Sequence, residues 1–101
     1  MEQINSAELK AKMDAGENVL LLDVREPDER AAYNIGGIFL PLGFVLSMQT
    51  DEIAELKDEE IVCYCRSGKR SLQACMMLET MGFSKMKNLE GGMLAWQEKF
   101  G

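Results

Sequence analysis

Histidine is absent from this sequence. The absence excludes Ser-His-Asp and Cys-His catalysis, because both need an imidazole to take the proton of the nucleophile. It also removes the usual zinc ligand, and the cysteines do not form the paired spacing that a zinc site needs. We therefore expect no metal and no cofactor, and any nucleophile in this chain must be activated without histidine.

Long apolar runs and an excess of positive charge are also missing. No window approaches the roughly 18 continuous apolar residues of a membrane-spanning helix, and MEQINSAELK lacks the basic and apolar regions of a signal peptide. Eleven Lys and Arg stand against 17 Asp and Glu, a net charge of −6, which disfavours nucleic-acid and acidic-membrane surfaces. We expect a cytoplasmic protein with no nucleic-acid and no membrane partner, present as a monomer or a weak dimer.

Cysteine is scarce, with three residues at positions 63, 65 and 75. An odd count without a secretion signal argues against a disulfide framework and favours free thiols in a reducing compartment. Cys63 lies inside an apolar run and Cys75 lies one turn into the next predicted helix, so both are interpreted as small buried side chains. Cys65 differs, because a basic loop follows it directly.

The chain of 101 residues is long enough for one domain, 1–101, and too short for two. Short apolar runs alternate with segments of helical spacing, which favours an α/β fold with a mainly parallel sheet and helices on both faces. Strands are predicted over 19–24, 37–41, 61–65 and 86–89. Helices are predicted over 6–15, from Pro27 onward, over 42–56, over 71–81, and around Trp96.

The stretch IVCYCRSGKRS is the candidate functional site. Its apolar run ends at Cys65, at the carboxyl end of a strand, where parallel sheets bind their ligands. The short loop to the next helix favours a nest of backbone N–H groups, with Gly68 giving the turn its freedom. Such a nest, the helix N-terminus and the nearby cations would lower the pKa of a thiol. The candidate residues are catalytic Cys65 and substrate-binding Arg66, Ser67, Gly68, Lys69, Arg70 and Ser71.

The loop CRSGKRS resembles the active-site loop of the rhodanese-like sulfurtransferases. LLLDVREPDERAAYNIGGIFLPL is similar to the first motif region of that family, and NLEGGMLAW to its C-terminal Gly-Gly…Trp signature. The resemblance implies a three-layer rhodanese-like fold with five mainly parallel strands. It also implies a ping-pong reaction, in which Cys65 takes the sulfane sulfur of an anionic donor (thiosulfate or a persulfide). The resulting persulfide then passes that sulfur to cyanide, a thiol or a protein acceptor.

The resemblance assigns further roles and shows one departure. Arg66, Lys69 and Arg70 would bind the anionic donor and stabilise departing sulfite. The family often has Gly-His-Ile-Pro-Gly-Ala where this chain has Asn34 in place of His and Gly36 in place of Pro, so a looser loop is expected there.

Three side chains near the predicted active face have open interpretations. Asp23 and Arg25 either support and orient the loop from behind or form an ordinary exposed charge pair at a strand end. Glu90 either accepts hydrogen bonds from the N–H groups of the loop or has a structural role only, which is the favoured interpretation.

Three other functions remain open. A phosphatase or arsenate reductase also presents a Cys-to-Arg loop to an oxyanion, but those loops have five residues between the two, whereas Cys65 and Arg70 have four. A non-catalytic rhodanese-like binding module typically lacks the cysteine or the basic loop. A persulfide carrier that serves a dedicated partner has the same sequence features as the enzyme.

Overall fold

Strands and helices alternate along the whole chain in the computed structural model, which describes residues 1–101. In chain order they are β1 (Glu2–Ile4), α1 (Ser6–Asp14), β2 (Leu20–Asp23), α2 (Pro27–Ala32), β3 (Ile38–Phe39), α3 (Leu42–Leu46), a 3₁₀ helix (Asp51–Leu56), β4 (Glu60–Tyr64), α4 (Lys69–Thr80), β5 (Lys85–Leu89) and α5 (Gly92–Phe100). The five strands form one sheet in the order β1-β5-β4-β2-β3. Every neighbouring pair is parallel.

The sheet is covered on both faces, which explains why its strands are apolar runs and not alternating patterns. Successive residues of β2 point to opposite faces. Leu22 packs in a buried cluster with α3, the 3₁₀ helix and α4, whereas Leu21 packs in a second cluster with α1 and α5. The predicted three-layer α/β class is therefore confirmed.

The starts of the first two helices follow from their sequence. Asn5 caps α1 by accepting a hydrogen bond from the Glu8 amide at 2.8 Å, and the Glu8 carboxylate accepts one from the Asn5 amide at 3.0 Å. This reciprocal pair satisfies two amides that the helix cannot use. Pro27 occupies the first turn of α2, where its missing N–H costs nothing. None of the helices has the length and apolarity needed to cross a membrane.

The helix predicted over 42–56 is wrong, because two short helices occupy this range. After α3, the Ser47 hydroxyl donates to the Gly43 carbonyl at 2.8 Å, and the backbone N–H of Gln49 donates to the Phe44 carbonyl at 2.8 Å. Met48 has a left-handed backbone with φ 63°. The apolar spacing runs through this stretch, but the side-chain bond of Ser47 and the backbone turn closed by Gln49 compete with the helix and end it.

The sequence gives little signal for β1. This edge strand has three residues, and only Ile4 is buried. It pairs in parallel with β5, Glu2 opposite Lys87 and Ile4 opposite Leu89. So short a polar segment shows no periodicity, and its pairing is fixed by the neighbouring strand and not by propensity.

A looser loop was expected around Asn34, but hydrogen bonds fix this segment. The Asn34 amide nitrogen donates to the Arg30 carbonyl at 3.0 Å, and its oxygen accepts from the Gly36 amide at 2.9 Å. The Tyr64 hydroxyl on β4 donates to the Gly36 carbonyl at 2.8 Å. The side chains of Asn34 and Tyr64 thus hold this turn through hydrogen bonds to backbone groups, including both those of Gly36.

Candidate active site

The loop after β4 brings the predicted site residues to the carboxyl edge of the sheet. Cys65 directly follows the last residue of β4, and α4 begins at Lys69, two residues before the predicted start. Gly68 precedes the helix with a left-handed φ of 96°. A Cβ at this position would lie 3.4 Å from the Gly91 amide and the Leu89 carbonyl. These are ordinary contact distances, so glycine is favoured here by its backbone conformation and not by lack of space.

Three donors surround the sulfur of Cys65. The Gly68 amide lies 3.1 Å from Sγ, the Ser71 amide 3.3 Å and the Ser71 hydroxyl 3.4 Å. Cys65 and Ser71 have no exposed surface. The amides belong to the loop and the first turn of α4, where backbone N–H groups lack helical partners and can bind an anion.

These donors decide the ionisation of Cys65. Burial alone would raise the pKa of its thiol, because it removes water from the charged form. Hydrogen bonds from the Ser71 hydroxyl and amide, and from the amides of Gly68 and Ser67, outweigh burial, so the pKa of Cys65 lies below its ordinary value. The site thus favours a thiolate without a neighbouring base.

The three cations of the loop have different partners. Arg70 makes a two-pronged ion pair with Glu29 on α2, each nitrogen–oxygen distance being 2.7 Å. Arg66 and Lys69 are exposed and form no ion pair. The hydrogen bonds from Arg70 lower the pKa of Glu29 to about 2. Glu29 was not predicted as a site residue, although it follows β2, and the carboxyl ends of β2 and β4 meet at one edge.

Asp23 and Arg25 form a buried ion pair. The interpretation as an exposed charge pair at a strand end is therefore wrong. Arg25 Nε lies 2.9 Å from Asp23 Oδ1, and Arg25 Nη2 donates to the Tyr33 carbonyl at 2.6 Å. Asp23 also accepts from Arg30 of α2 at 3.2 Å. Neither residue bonds to the loop 65–71. The pair instead ties α2, which carries Glu29, to the sheet.

The N-terminus of α5 holds the loop from behind. The Met93 amide donates to the Cys65 carbonyl at 2.9 Å, and the Leu94 amide donates to the Arg66 carbonyl at 3.0 Å. Gly92 has a φ of 56°, and a Cβ there would collide with the Cys65 carbonyl oxygen and lie 2.6 Å from the Arg66 carbonyl carbon. The Gly-Gly signature therefore permits close approach of two backbones.

The residue that completes the site on β5 is Asn88 and not Glu90. Glu90 is exposed, and no hydrogen bond joins its carboxylate to the loop. Asn88 is buried, accepts a hydrogen bond from the Ser71 hydroxyl, and donates from Nδ2 to the Gly68 carbonyl at 3.1 Å. Its position before the Gly-Gly signature, at the carboxyl end of a strand, is the signal that could have indicated it.

The other two cysteines are core residues, as expected. Cys63 on β4 and Cys75 on α4 are both fully buried in the cluster between the sheet and α4. Burial, and then the neighbouring thiol of Cys75, raise the pKa of Cys63 well above its ordinary value. No three His, Cys, Asp or Glu side chains converge where they could hold a metal ion.

Known proteins are similar to this chain in sequence and in fold. The model of the rhodanese-like domain family matches residues 5–99. A sulfurtransferase of Allochromatium vinosum is 39% identical over 97 residues, which cover 95% of this chain and 88% of that protein. The putative sulfurtransferase YtwF of Bacillus subtilis is 40% identical over 99 residues, covering 96% and 91%.

A solved structure agrees with these relatives. The crystal structure of a rhodanese-like domain protein from Staphylococcus aureus has a TM-score of 0.82 at 31% identity, covering 95% of this chain and 91% of that one. The family match spans nearly the whole chain, and it confirms the resemblance seen in the three motifs. This chain belongs to the rhodanese-like domain family of sulfurtransferases.

Proposed function

We propose that the protein transfers sulfane sulfur from a small anionic donor, thiosulfate or a persulfide, to a nucleophilic acceptor through a persulfide on Cys65. The observation that carries this proposal is the set of N–H and O–H donors around Sγ, which lowers the pKa of a fully buried thiol. A thiolate is the attacking form of cysteine. The lowered pKa increases the thiolate fraction of Cys65, which accounts for a nucleophile that works in a chain without histidine.

The first half-reaction has a simple balance of bonds. The Cys65 thiolate attacks the outer sulfur of thiosulfate, an S–S bond forms at Cys65, the S–S bond of the donor breaks, and sulfite leaves with the electron pair. In the second half, a thiolate or cyanide attacks the outer sulfur of the persulfide. The Cys65–sulfur bond breaks, and Cys65 departs as the thiolate that the loop stabilises.

The loop also suits an anionic donor in an acidic protein. Arg66 and Lys69 are exposed without a counter-ion, one on each side of Gly68 in the loop sequence. Exposed cations of this kind raise the local concentration of an anion and speed its encounter. Backbone amides and the first turn of α4 offer further charge stabilisation for departing sulfite. Cys65 itself has no exposed surface, so the donor reaches Sγ when the side chain or the loop moves.

Two features disfavour an oxyanion enzyme. Four residues separate Cys65 from Arg70, whereas five residues separate the cysteine from the arginine in the loops of phosphatases and arsenate reductases. Both terminal nitrogens of Arg70 are bound to Glu29, so the guanidinium does not face a tetrahedral anion above the sulfur. Turnover of p-nitrophenyl phosphate without turnover of thiosulfate would reverse this choice.

Intact mass spectrometry after thiosulfate treatment tests the proposal. We expect the protein to gain the mass of one sulfur atom and to lose it again when cyanide or a thiol is added. Cys65→Ser should abolish the gain. Cys63→Ser and Cys75→Ser are the matched controls, and both should retain it, because those thiols are buried in the core. A mass gain that survives in Cys65→Ser would overturn the assignment.

A further inference from the structure

One hydroxyl in the site faces two acceptors. The Ser71 hydroxyl lies 3.4 Å from Cys65 Sγ and also donates to Asn88 Oδ1 at close range. A hydroxyl has one hydrogen, so it can donate to only one of them at a time. All three side chains are buried, Asn88 being 3% exposed and the other two not at all. Bulk water is therefore absent as a substitute partner.

The orientation of the Asn88 amide is set by its other contacts. Its Nδ2 donates to the Gly68 carbonyl at 3.1 Å and to Gln3 Oε1 at 3.2 Å. Both amide hydrogens are thereby used, and Oδ1 is the atom left to face Ser71. The reverse orientation would set Oδ1 against the carbonyl oxygen of Gly68, which is unfavourable in a buried site.

The preferred partner of the hydroxyl depends on the charge of the sulfur. When Cys65 is a thiol, its S–H donates to Ser71 Oγ while the hydroxyl donates to Asn88, and every group has a partner. When Sγ is bonded to a second sulfur it is a weak acceptor, and the hydroxyl again prefers Asn88. A thiolate is a strong acceptor that can only accept, so it competes with Asn88 for the one hydrogen.

We propose that Asn88 is a positioning residue that holds the Ser71 hydroxyl hydrogen whenever Sγ carries no charge and releases it to Sγ when the sulfur becomes a thiolate. The hydrogen stays on the serine oxygen throughout and only rotates. In sulfur transfer, the hydroxyl would turn toward Sγ as Cys65 leaves the persulfide. This inference rests on the proposed function only in taking Cys65 as the reacting thiol.

The role makes a specific energetic claim. Forming the thiolate leaves Asn88 Oδ1 without its donor, so Asn88 opposes ionisation, whereas the Ser71 hydroxyl favours it. Removing the Asn88 acceptor should therefore make Cys65 a stronger acid. A purely structural role, in which Asn88 only clamps the Gly68 carbonyl, gives the opposite result, because a loosened loop presents its amides less well to the sulfur.

Other charges around the sulfur remain the same in this comparison. The ionisable groups on the elements packed around Cys65 include Cys63 and Tyr64 on β4, Arg66 on the loop, Lys69, Arg70 and Cys75 on α4, Glu29 and Arg30 on α2, Asp23 on β2, Lys87 on β5 and Glu90 before α5. Arg70 is paired with Glu29, and Lys87 with Glu60. None of the substitutions below alters these groups or their charges.

The test is a double-mutant cycle read by thiolate absorbance in the ultraviolet as a function of pH, with Cys65→Ser as the blank. No sulfur donor is present, so the result does not depend on sulfur transfer. Asn88→Leu removes the acceptor with a side chain of similar shape, and we expect about a tenfold increase in the acid dissociation constant of Cys65. In the Ser71→Ala background the same change should have no such effect, because the hydroxyl is gone.

Several outcomes would overturn the role. The role is wrong if Asn88→Leu leaves the acidity of Cys65 unchanged or lowers it. It is also wrong if Asn88→Leu changes that acidity equally with and without the Ser71 hydroxyl. Gln3→Leu is the matched control, since it removes a neighbour of Asn88 but leaves the Ser71 bond, and it should change the acidity of Cys65 less than twofold. Asn88→Ala replaces Asn88→Leu if the larger side chain prevents folding.

A measurement on the unsubstituted protein tests the same idea without a variant of Asn88. The carbon resonance of the Asn88 side-chain carbonyl should titrate with the midpoint of Cys65 ionisation, because its hydrogen bond is lost at that step. The resonance should be flat over the same range in Cys65→Ser. A flat resonance in both proteins would show that the hydroxyl does not leave Asn88 and would overturn the proposal.

Discussion

Cys63 and Cys65 lie two residues apart, face the same side of the sheet and have no exposed surface, yet the fold shifts their pKa values in opposite directions. At Cys63, burial and the neighbouring thiol of Cys75 both disfavour the thiolate. At Cys65, burial also disfavours it, but hydrogen bonds to the sulfur outweigh burial.

The difference arises from where the strand ends. Cys63 lies within β4, whose backbone amides are engaged with the neighbouring strands. Cys65 lies one residue beyond the strand, and the amides of the loop and of the first turn of α4 have no such partners. They converge on the sulfur instead. Two residues of chain therefore separate a core side chain from a candidate nucleophile. The hydrogen-bond donors at the sulfur, the Ser71 hydroxyl and the loop amides, make the difference, not exposure.

The largest effect is expected from Gly92→Ala, which would break the strand-end geometry. The new Cβ would collide with the carbonyl of Cys65, and φ 56° is unfavourable for alanine. The loop must then shift, and the amides of Gly68 and Ser71 no longer lie within hydrogen-bond distance of Cys65 Sγ. We expect a loss of stability of about 2–4 kcal/mol from strain and overpacking together. Chemical denaturation measures the loss, and thiosulfate:cyanide turnover should fall at least about tenfold.

Gly16→Ala is the matched control for this substitution. Gly16 also has a positive φ, 78°, but nothing lies within 4 Å of a Cβ placed there. Gly16→Ala therefore measures the conformational cost of alanine at a positive φ alone, about 1 kcal/mol, without the cost of a steric collision. Equal losses of stability and turnover in the two variants would contradict the view that close packing against Cys65 is what Gly92 provides.

An effect of intermediate size is expected in the way that Cys65 and Cys63 make the free energy of unfolding depend on pH. The pKa of Cys65 is lower in the folded protein than in the unfolded chain, so below the ordinary thiol pKa of about 8.5 the unfolded chain holds more protons and the free energy of unfolding rises with pH. This contribution is lost as pH falls through the folded pKa. Cys63 has a raised pKa, so its contribution is full below the ordinary thiol pKa and declines as pH rises above it.

Urea denaturation at a series of pH values separates the two cysteines. Relative to the unsubstituted protein, Cys65→Ala should flatten the rise on the acid side of about pH 8.5, and Cys63→Ala should flatten the decline on its alkaline side. Only the difference in slope is compared, because the Cys63→Ala cavity also lowers stability at every pH. If both variants change the same side of the curve, the contrast between the two sites is wrong.

The architecture was predictable because it rests on repeated, local signals. Apolar runs marked β2 and β4, Asn5 marked the start of α1, and Pro27 marked the start of α2. The break after α3 was not predictable, because hydrogen bonds of Ser47 and Gln49 overrode a continuous apolar spacing. The edge strand β1 depends on a partner 85 residues away and has no signal of its own.

The candidate site was predictable in its sequence-local part. Cys65, Gly68 and Ser71 belong to one loop, and their meeting follows from the turn. Asn88 and Glu29 were missed because they reach the loop from β5 and α2, and a single sequence gives no pairing between distant polar residues. Both follow or end a parallel strand, which was the only hint available.

The smallest effect is expected from Glu29→Gln, which sharpens the contrast by changing charge without moving the sulfur. Removing the counter-ion of Arg70 should lower KM for thiosulfate about two- to fivefold and steepen its salt dependence, since an unpaired guanidinium attracts the dianion. Because the pKa of Glu29 is about 2, the carboxylate stays charged across the working range, and the effect should not vary between pH 5 and pH 8. Glu55→Gln, an equal charge change at an exposed position of the 3₁₀ helix, is the control. A KM that changes equally in both variants would mean that net charge, and not the pairing of Arg70, controls donor binding.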